Sequence, residues 1–353
     1  MIKKIFKKIN NLRISDAEAI TPPISFIKKY PLSESDSDYI VSARKTVKDI
    51  LEGRDKRLMV IVGPCSIHDP KSAREYAEKL AKLRDELNDK LFIVMRVYFE
   101  KPRTTVGWKG LIYDPDINNS FKIEKGLDLA RSLLLDLTKM RIPTAVEYLD
   151  LITPQYFSDL ITWGAIGART TESQSHRELA SGLSCPVGFK NGTKGNIDIA
   201  IDAIISASHS HSFWSINKKG KVYRYQTSGN PNCHIILRGG KKTNYDKNSV
   251  DDAVDKLKKV NLSPKVMIDF SHGNSEKQFK KQIEVSDNII EQIKDGTTNI
   301  FGVMIESHLI EGNQATNTLD KLEYGKSITD ACLGWEDTEK VLRNLAEVMS
   351  HSN

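Results

Sequence analysis

The stretch LMVIVGPCSIHDPKSAREYAEKLAKLRDELNDKLFIVMRVYF, residues 58–99, contains the pattern that decides the fold. It begins with a short apolar run at 58–62, which predicts a buried strand. An amphipathic stretch with apolar residues at helical spacing follows at 71–87, and a second β-branched run ends the segment at 92–99. This order is typical of two parallel strands joined by a crossover helix.

The same alternation continues to about residue 306. Six further runs predict strands: PTAVEYL (143–149), AIGAR (165–169), PVGFK (186–190), HIILRG (234–239), KVMIDF (265–270) and FGVMIE (301–306). Helical patterns follow each of them, most clearly at 277–293. Eight strand–helix units in one series predict an α/β protein of the (β/α)8 TIM-barrel class. An open, doubly wound sheet is the alternative.

Two segments lie outside this alternation. Residues 1–57 are interpreted as an N-terminal extension with a helix from Asp36 to Leu51, and the catalytic barrel is predicted over 58–353. Residues 213–228 predict a β-hairpin inserted between the fifth and sixth units. Neither addition is needed to close a barrel. Such additions usually serve subunit contacts or regulation, and a surface loop without either role is the alternative.

The composition argues against several classes of protein. With 353 residues, 39% hydrophobic and 28% charged, the chain is typical of a globular protein with a sizeable core. The net charge of +6 arises from 52 Lys and Arg interspersed with 46 Asp and Glu, so nucleic-acid binding is not predicted. No apolar run reaches the ~20 residues of a membrane span, and four widely spaced cysteines indicate no disulfide framework. We expect a cytoplasmic protein.

Positive charges gather at the predicted carboxyl ends of the strands, where barrels of this class carry their active sites. The six cations are Arg96, Lys101, Arg103, Arg169, Lys190 and Arg238. They would repel one another unless a strongly anionic ligand lay between them. A single arginine at a strand end is usually a surface ion-pair partner, but this group predicts a site for phosphorylated substrates.

Candidate metal ligands lie at the same ends of the strands. They are the thiol of Cys65, the imidazole of His272 and the carboxylates of Glu306 and Asp330. Such a mixed set suits Mn2+, Fe2+, Co2+ or Zn2+. Spacing alone leaves alternatives open, because the thiol and imidazole are common in protein cores and the carboxylates could pair with cations. His68, in the loop that contains Cys65, is a rival ligand.

Seven motifs resemble those of a known family. They are GPCSIHDP (63–70), VMRVYFEKPRTTVGWKGL (94–111), WGAIGARTTESQ (163–174), PVGFKNGT (186–193), HIILRGG (234–240), MIDFSHGN (267–274) and ESHLIEGNQ (306–314). From about Arg44 to Trp335 the chain resembles the type I 3-deoxy-D-arabino-heptulosonate 7-phosphate (DAHP) synthases, specifically the bacterial, feedback-regulated enzymes. The resemblance implies a transferase that condenses phosphoenolpyruvate (PEP) with erythrose 4-phosphate, the first step of the shikimate pathway. It also implies one divalent metal ion and no organic cofactor.

The resemblance assigns roles to individual residues. The implied metal ligands are Cys65, His272, Glu306 and Asp330. The implied PEP contacts are Arg96, Lys101, Gly167, Ala168, Arg169, Lys190 and Arg238. The implied contacts of erythrose 4-phosphate are Pro102, Arg103 and Thr104. Glu147 is expected near a bound water, and Lys101, Glu147, His272 and Asp330 remain alternative carriers of protons.

An aromatic amino acid is implied as an inhibitor that binds away from the barrel mouth. The implied region comprises Asp150, Pro154, Gln155, Ser184 and Phe213, with the hairpin and a partner's N-terminal segment in a homodimer or homotetramer. Pro154 could instead simply begin a helix, and Phe213 could belong to the core. The runs at 225–231 and 240–245 lean toward tryptophan as the inhibitor.

Two other functions account for parts of the pattern. A related synthase condenses PEP with arabinose 5-phosphate, but the KPRTTVGWKG run at 101–110 argues against it. A non-catalytic barrel that senses amino acids would not need the complete set of ligands and cations.

Overall fold

The computed structural model describes residues 9–316 and 321–350. Outside the described residues lie the start of the predicted extension (1–8), the end of the predicted barrel (351–353) and residues 317–320. In chain order the strands are β1 Leu58–Gly63, β2 Leu91–Arg96, β3 Thr144–Glu147, β4 Trp163–Ile166, β5 Val187–Lys190, β6 Ser212–Ile216, β7 Val222–Gln226, β8 Cys233–Leu237, β9 Val266–Asp269, β10 Ile300–Glu306, β11 Ile310–Asn313 and β12 Lys326–Ser327. Eight of them form a closed parallel barrel in the order β1-β10-β9-β8-β5-β4-β3-β2. The predicted fold class is therefore confirmed.

Helices cover the outside of the barrel. They are α1 Pro23–Lys29, α2 Glu34–Leu51, α3 Pro70–Leu87, α4 Ile123–Lys139, α5 Pro154–Phe157, α6 Gln174–Gly182, α7 Asp198–Ser208, α8 Lys247–Lys259, α9 Lys281–Lys294 and α10 Trp335–Ser350. The α5 crossover is one turn followed by a 3-10 turn at 158–160, because the connection from β3 to β4 is short. Among the described helices, none is both long and apolar enough to cross a membrane.

Helix α3 shows how the sequence sets these helices. The carboxylate of Asp69 accepts hydrogen bonds from the backbone N–H of Lys71 and Ser72, and Pro70 occupies the first helical position, where no N–H is needed. Apolar residues recur at helical spacing from Ala73 to Leu83 and are buried against the strands. Burial of each large side chain contributes roughly 1.5–3 kcal/mol.

Helix α2 closes the amino-terminal end of the barrel. Its residues Val47, Ile50 and Leu51 belong to the same buried cluster as Met59 and Ile61 of β1. This part of the N-terminal extension therefore completes the core of its own subunit, whereas residues 9–20 are exposed. A role of the extension in subunit contacts remains a prediction.

Strands β6 and β7 form the inserted hairpin, with Ser212 opposite Gln226 and Ile216 opposite Val222. The turn at 217–220 ends at Gly220, whose φ of 74° lies in the left-handed region that favours glycine. The backbone N–H of Ile24 donates to the carbonyl of Lys218 at 2.7 Å, so the extension contacts the tip of the hairpin.

Candidate active site

The carboxyl ends of the barrel strands surround a cleft of about 610 Å³, a size typical of small-molecule sites. Its lining includes the following predicted site residues: Lys101, Pro102, Arg103, Glu147, Gly167, Ala168, Arg169, Lys190, Arg238, His272, Glu306 and Asp330. Thr104 is exposed beside the cleft, where its hydroxyl accepts a hydrogen bond from Arg169 Nε at 3.2 Å. Cys65 and Arg96 are buried and are not part of the lining.

Three of the candidate metal ligands converge. Ligand atoms of Cys65, Glu306 and Asp330 all lie within 4.8 Å of one another. Glu306 ends β10 and is buried, whereas Asp330 is exposed at the cleft. Burial, followed by the charge of Glu306, raises the pKa of the Cys65 thiol. A cation between these groups would relieve the repulsion among them, and a sulfur with two carboxylates is a donor set that fits a divalent transition metal.

His272 stands beside this group, with its Nε2 3.8 Å from Glu306 Oε1. The other ring nitrogen, Nδ1, is 3.0 Å from the Asp269 carboxylate and 2.7 Å from the Ser271 hydroxyl. The residue adopts a φ of 61°, a left-handed conformation that is uncommon for a side chain other than glycine. Anchoring of Nδ1 leaves Nε2 as the nitrogen available to a metal.

His68, the rival ligand, is not among the converging donors of the described residues. Its ring lies edge-on to His308, with 6.2 Å between the ring centroids, and burial lowers its pKa. Its Nδ1 is buried and has no hydrogen-bond partner among the described residues.

The six cations fall into two groups. Arg96 pairs with Glu306 at 2.9 Å, and Lys190 pairs with Asp269 at 2.8 Å. The other four form no ion pair with a carboxylate in the described chain: Lys101, Arg103, Arg169 and Arg238. The cleft therefore carries an excess of positive charge that an anionic ligand would neutralise.

Arg96 is 1% exposed and joins the loop after β1 to β10. Its guanidinium donates to the carbonyls of Pro64 and Cys65, both at 3.0 Å, in addition to Glu306. The ring of Tyr98 lies against the guanidinium, 3.6 Å from Cζ, a cation–π contact. Arg96 thus lies beneath the cleft and supports it, while Lys101 Nζ donates to Cys65 Sγ at 3.2 Å.

Glu147 points from the end of β3 toward β4. A Cβ atom at Gly167 would lie 2.3 Å from Glu147 Oε1. Only glycine allows the carboxylate to approach this backbone so closely. The predicted backbone contact at Gly167 and Ala168 and the predicted carboxylate therefore form one wall of the cleft.

Comparison with known proteins identifies the family. The sequence model of the DAHP synthetase I family matches residues 31–343. The chain belongs to this family. The Phe-sensitive phospho-2-dehydro-3-deoxyheptonate aldolase of Escherichia coli (strain K12) is 57% identical over 340 residues, covering 96% of this chain and 97% of that protein. The Trp-sensitive enzyme of Enterobacter agglomerans is 54% identical over 344 residues, covering 98% and 99%.

A solved structure supports the same assignment. The phospho-2-dehydro-3-deoxyheptonate aldolase of Francisella tularensis SCHU S4 matches with a TM-score of 0.94 and 52% identity, covering 96% of this chain and 99% of that one. The predicted family and class of enzyme are confirmed.

Part of the predicted effector region contacts the hairpin in this DAHP synthetase I family member. The Ser215 hydroxyl donates to the carbonyl of Leu151 at 3.4 Å, and Lys218 Nζ donates to that of Gln155 at 2.5 Å. Pro154 does begin a helix, α5, and Phe213 stacks on Tyr225 with 5.8 Å between centroids. Ser184 is exposed, and the Asp150 carboxylate accepts from the hydroxyl of Tyr113 at 2.6 Å. An effector role for these residues stays a prediction.

Sequence reasoning missed two residues of the site. Asp269 is fully buried and holds Lys190 and His272, and Tyr98 supports Arg96. The one sequence feature that marked Asp269 was its position as an acidic residue directly after the apolar residues of β9. Tyr98 gave no signal, because an aromatic residue next to a predicted strand is usually core.

Glu100, next to Lys101, is a buried carboxyl with an unusual pKa. Burial, and then the charge of Asp150, raise the pKa of Glu100 from 4.5 to about 8, although the Thr153 hydroxyl donates to it at 3.1 Å. The folded protein therefore binds a proton that the unfolded chain releases above pH 4.5, so this group lowers stability as pH rises from 4.5 to 8.

We expect Glu100→Gln to remove this penalty. Relative to the wild type, the variant should gain stability as pH rises from 4.5 to about 8. Above that range the gain should be roughly 5 kcal/mol. Urea unfolding at a series of pH values measures the difference, and Glu78→Gln, at an exposed carboxyl of α3, is the control. A pH-independent difference between Glu100→Gln and wild type would contradict the raised pKa.

Proposed function

We propose that the chain condenses PEP with erythrose 4-phosphate and water to give DAHP and phosphate. A carbon–carbon bond forms between C3 of PEP and the aldehyde carbon, water adds at C2, and phosphate leaves. The observation that carries this proposal is a cleft whose cations lack ion pairs within the described chain, beside a convergent thiol and carboxylate donor set. Membership of the DAHP synthetase I family supports it.

The metal would be held by Cys65, Glu306 and Asp330, with His272 as the fourth ligand. When bound, a divalent metal supplies Lewis acidity toward the aldehyde oxygen. The donor set supports this assignment. The ligand atoms of Cys65, Glu306 and Asp330 already lie together, and Asp269 anchors Nδ1 of His272, which leaves Nε2 for the metal.

The cations orient the two anionic substrates. We assign the carboxylate and phosphate of PEP to the predicted set, which is Arg96, Lys101, Gly167, Ala168, Arg169, Lys190 and Arg238. Guanidinium groups bind such anions in a bidentate manner, and the lysine ammonium groups add point charges. Arg103 and Thr104, with Pro102, are assigned to the phosphate of erythrose 4-phosphate. The hydrogen bond from Arg169 to Thr104 joins the two sets, so each substrate would be positioned relative to the other.

Proton transfer has several candidate carriers at the cleft. Lys101 is buried beside the thiol, and Glu147 is buried against Gly167, where it is the candidate to hold the attacking water. Desolvation within the cleft acts to raise the pKa of Asp330, but the surrounding cations, led by Lys101, outweigh it and lower the pKa, so this carboxylate is ionised. His272 is the fourth candidate.

We also propose feedback inhibition by an aromatic amino acid at the hairpin region of a homodimer or homotetramer. The sequence runs at 225–231 and 240–245 slightly favoured tryptophan as the inhibitor. Overall identity does not favour it, since the Phe-sensitive relative is 57% identical and the Trp-sensitive ones are 52–54% identical. The effector must therefore be identified by assay.

The test is consumption of PEP by the full chain with erythrose 4-phosphate and Mn2+, with and without Phe, Tyr and Trp. We expect PEP consumption that requires both the aldose phosphate and the metal, and inhibition by one of the amino acids. Consumption that arabinose 5-phosphate supports better would reject the proposed substrate. No consumption by a protein that binds an aromatic amino acid would indicate a sensor.

A further inference from the structure

Three asparagines form a buried amide cluster at the barrel mouth. Asn191 follows β5, Asn244 follows β8 and Asn274 follows β9, so each of three neighbouring loops contributes one. Their exposed fractions are 0%, 8% and 2%. Buried amides are costly unless they are hydrogen-bonded, so their partners show what the cluster does.

The amides of the cluster connect the three loops to one another. Asn191 Oδ1 accepts from the backbone N–H of Arg238 at 2.8 Å and from Asn244 Nδ2 at 3.2 Å. Asn244 Oδ1 accepts from Gly239 N at 2.7 Å, and its own backbone N–H donates to Asn274 Oδ1 at 2.9 Å. The loop after β8 is therefore bonded both to the loop after β5 and to the loop after β9.

The cluster also reaches the ends of the barrel strands. Asn274 Nδ2 donates to the carbonyls of Leu237 at 3.1 Å and Asp269 at 2.8 Å. Asn191 Nδ2 donates to the carbonyl of Gly239 at 3.0 Å. The cluster thus fixes the strand ends from which Arg238 and His272 extend.

Glycines bring the same loops into direct backbone contact. A Cβ at Gly273 would lie 2.6 Å from Gly240 N, and a Cβ at Gly240 would lie 2.3 Å from Gly195 N. The backbone N–H of Gly273 donates to the carbonyl of Arg238 at 3.0 Å. Since Gly273 directly follows His272, a shift of the β8 loop would move this histidine as well.

We propose that the amide cluster is a positioning device that holds Arg238 and His272 in one fixed arrangement. The cluster thereby sets the affinity of the cleft for both an anionic substrate and a divalent metal. This inference rests on the proposed function, in which Arg238 contacts PEP and His272 is a metal ligand. The three asparagines are not part of the cleft lining and act through the loops that they join.

The test uses Asn244→Ala in the full-length chain. This change removes the donor to Asn191 and the acceptor for Gly239 N, and loss of that acceptor from a buried N–H costs about 1–3 kcal/mol. Calorimetric titration measures binding of PEP to metal-free protein and of Mn2+ to substrate-free protein. We expect both Kd values to rise about tenfold, which corresponds to about 1.4 kcal/mol.

Asn230→Ala is the matched control. Asn230 is 4% exposed, and its amide donates to the carbonyls of Ala180, Leu183 and Cys185. These partners precede β5, on the side of the barrel away from the cleft. This variant should lose a similar amount of thermal stability and keep both Kd values within about twofold of wild type. Asn244→Ser, a smaller change, replaces Asn244→Ala if the latter does not fold.

The outcomes separate this inference from the proposed function. Wild-type affinity of Asn244→Ala for both ligands, or an equal loss in Asn230→Ala, overturns the positioning role. A loss of affinity for only one ligand also contradicts it, because the cluster would not hold Arg238 and His272 together. Wild-type protein that binds neither PEP nor Mn2+ overturns the proposed function and, with it, this inference.

Discussion

Asp269→Ala is expected to destabilise the protein by about 3–5 kcal/mol, because it leaves a buried charge without its partner. Asp269 is fully buried at the end of β9 and lies 2.8 Å from Lys190 Nζ. It also accepts from the backbone N–H and hydroxyl of Ser271, at 3.0 and 2.6 Å. Burial acts to raise its pKa, but Lys190 and His272 outweigh burial and hold the pKa of Asp269 well below its usual range.

Turnover should fall by at least about 10³-fold in the same variant, since Lys190 and His272 lose their common anchor. Urea unfolding and the PEP consumption assay measure the two effects. Adding Lys190→Met removes the orphaned charge, so the double variant should recover much of the stability but no turnover. A single variant that unfolds like wild type would show that the pair contributes nothing to stability.

The positions of the mouth residues were predictable from the sequence. Parallel strands in a closed barrel all end at the same mouth, so any residue directly after an apolar run is placed there. Lys101, Arg169 and Arg238 share one cleft for this reason, although they are far apart in the chain. The prediction needed the strand ends only to within a few residues, since β2 and β4 end at Arg96 and Ile166, three residues before the predicted ends at 99 and 169.

The sequence did not indicate which cations would be buried and which would be exposed. Arg96 and Arg103 have the same chemistry and lie in the same motif, yet Arg96 is buried against Glu306 and Arg103 is exposed. Which of them is covered depends on the direction of each side chain within the closed barrel. That direction is set by contacts with distant strands.

The amide cluster and the packing of helix α2 escaped prediction for a similar reason. An asparagine after a strand is typical of a turn, and nothing local distinguishes Asn244 from an exposed turn residue. Helix α2 was predicted as a helix. Its packing against β1 at the end of the barrel was not, because that end is formed by strands that come much later in the chain.

Cys65→Ala is expected to abolish metal-dependent turnover, with a loss of at least about 10³-fold, equivalent to about 4 kcal/mol of activation free energy. Cys65 offers the one sulfur of the converging donor group, and the remaining carboxylates of Glu306 and Asp330 would bind Mn2+ more weakly. Titration with Mn2+ and the PEP consumption assay measure the two effects separately. In wild-type protein, chelation should abolish turnover and added Mn2+ should restore it.

Cys185→Ala provides the matched control for this prediction. Cys185 is as buried as Cys65, but its sulfur lies near the hydroxyl of Tyr148, 3.9 Å away, outside the cleft. Both variants remove a buried thiol, so both should lose comparable stability. Only Cys65→Ala should lose Mn2+ affinity, because only its thiol faces the two carboxylates. If Cys65→Ala kept wild-type turnover and Mn2+ affinity, the sulfur would be a core group, and His68 or His272 would have to complete the metal site with the carboxylates.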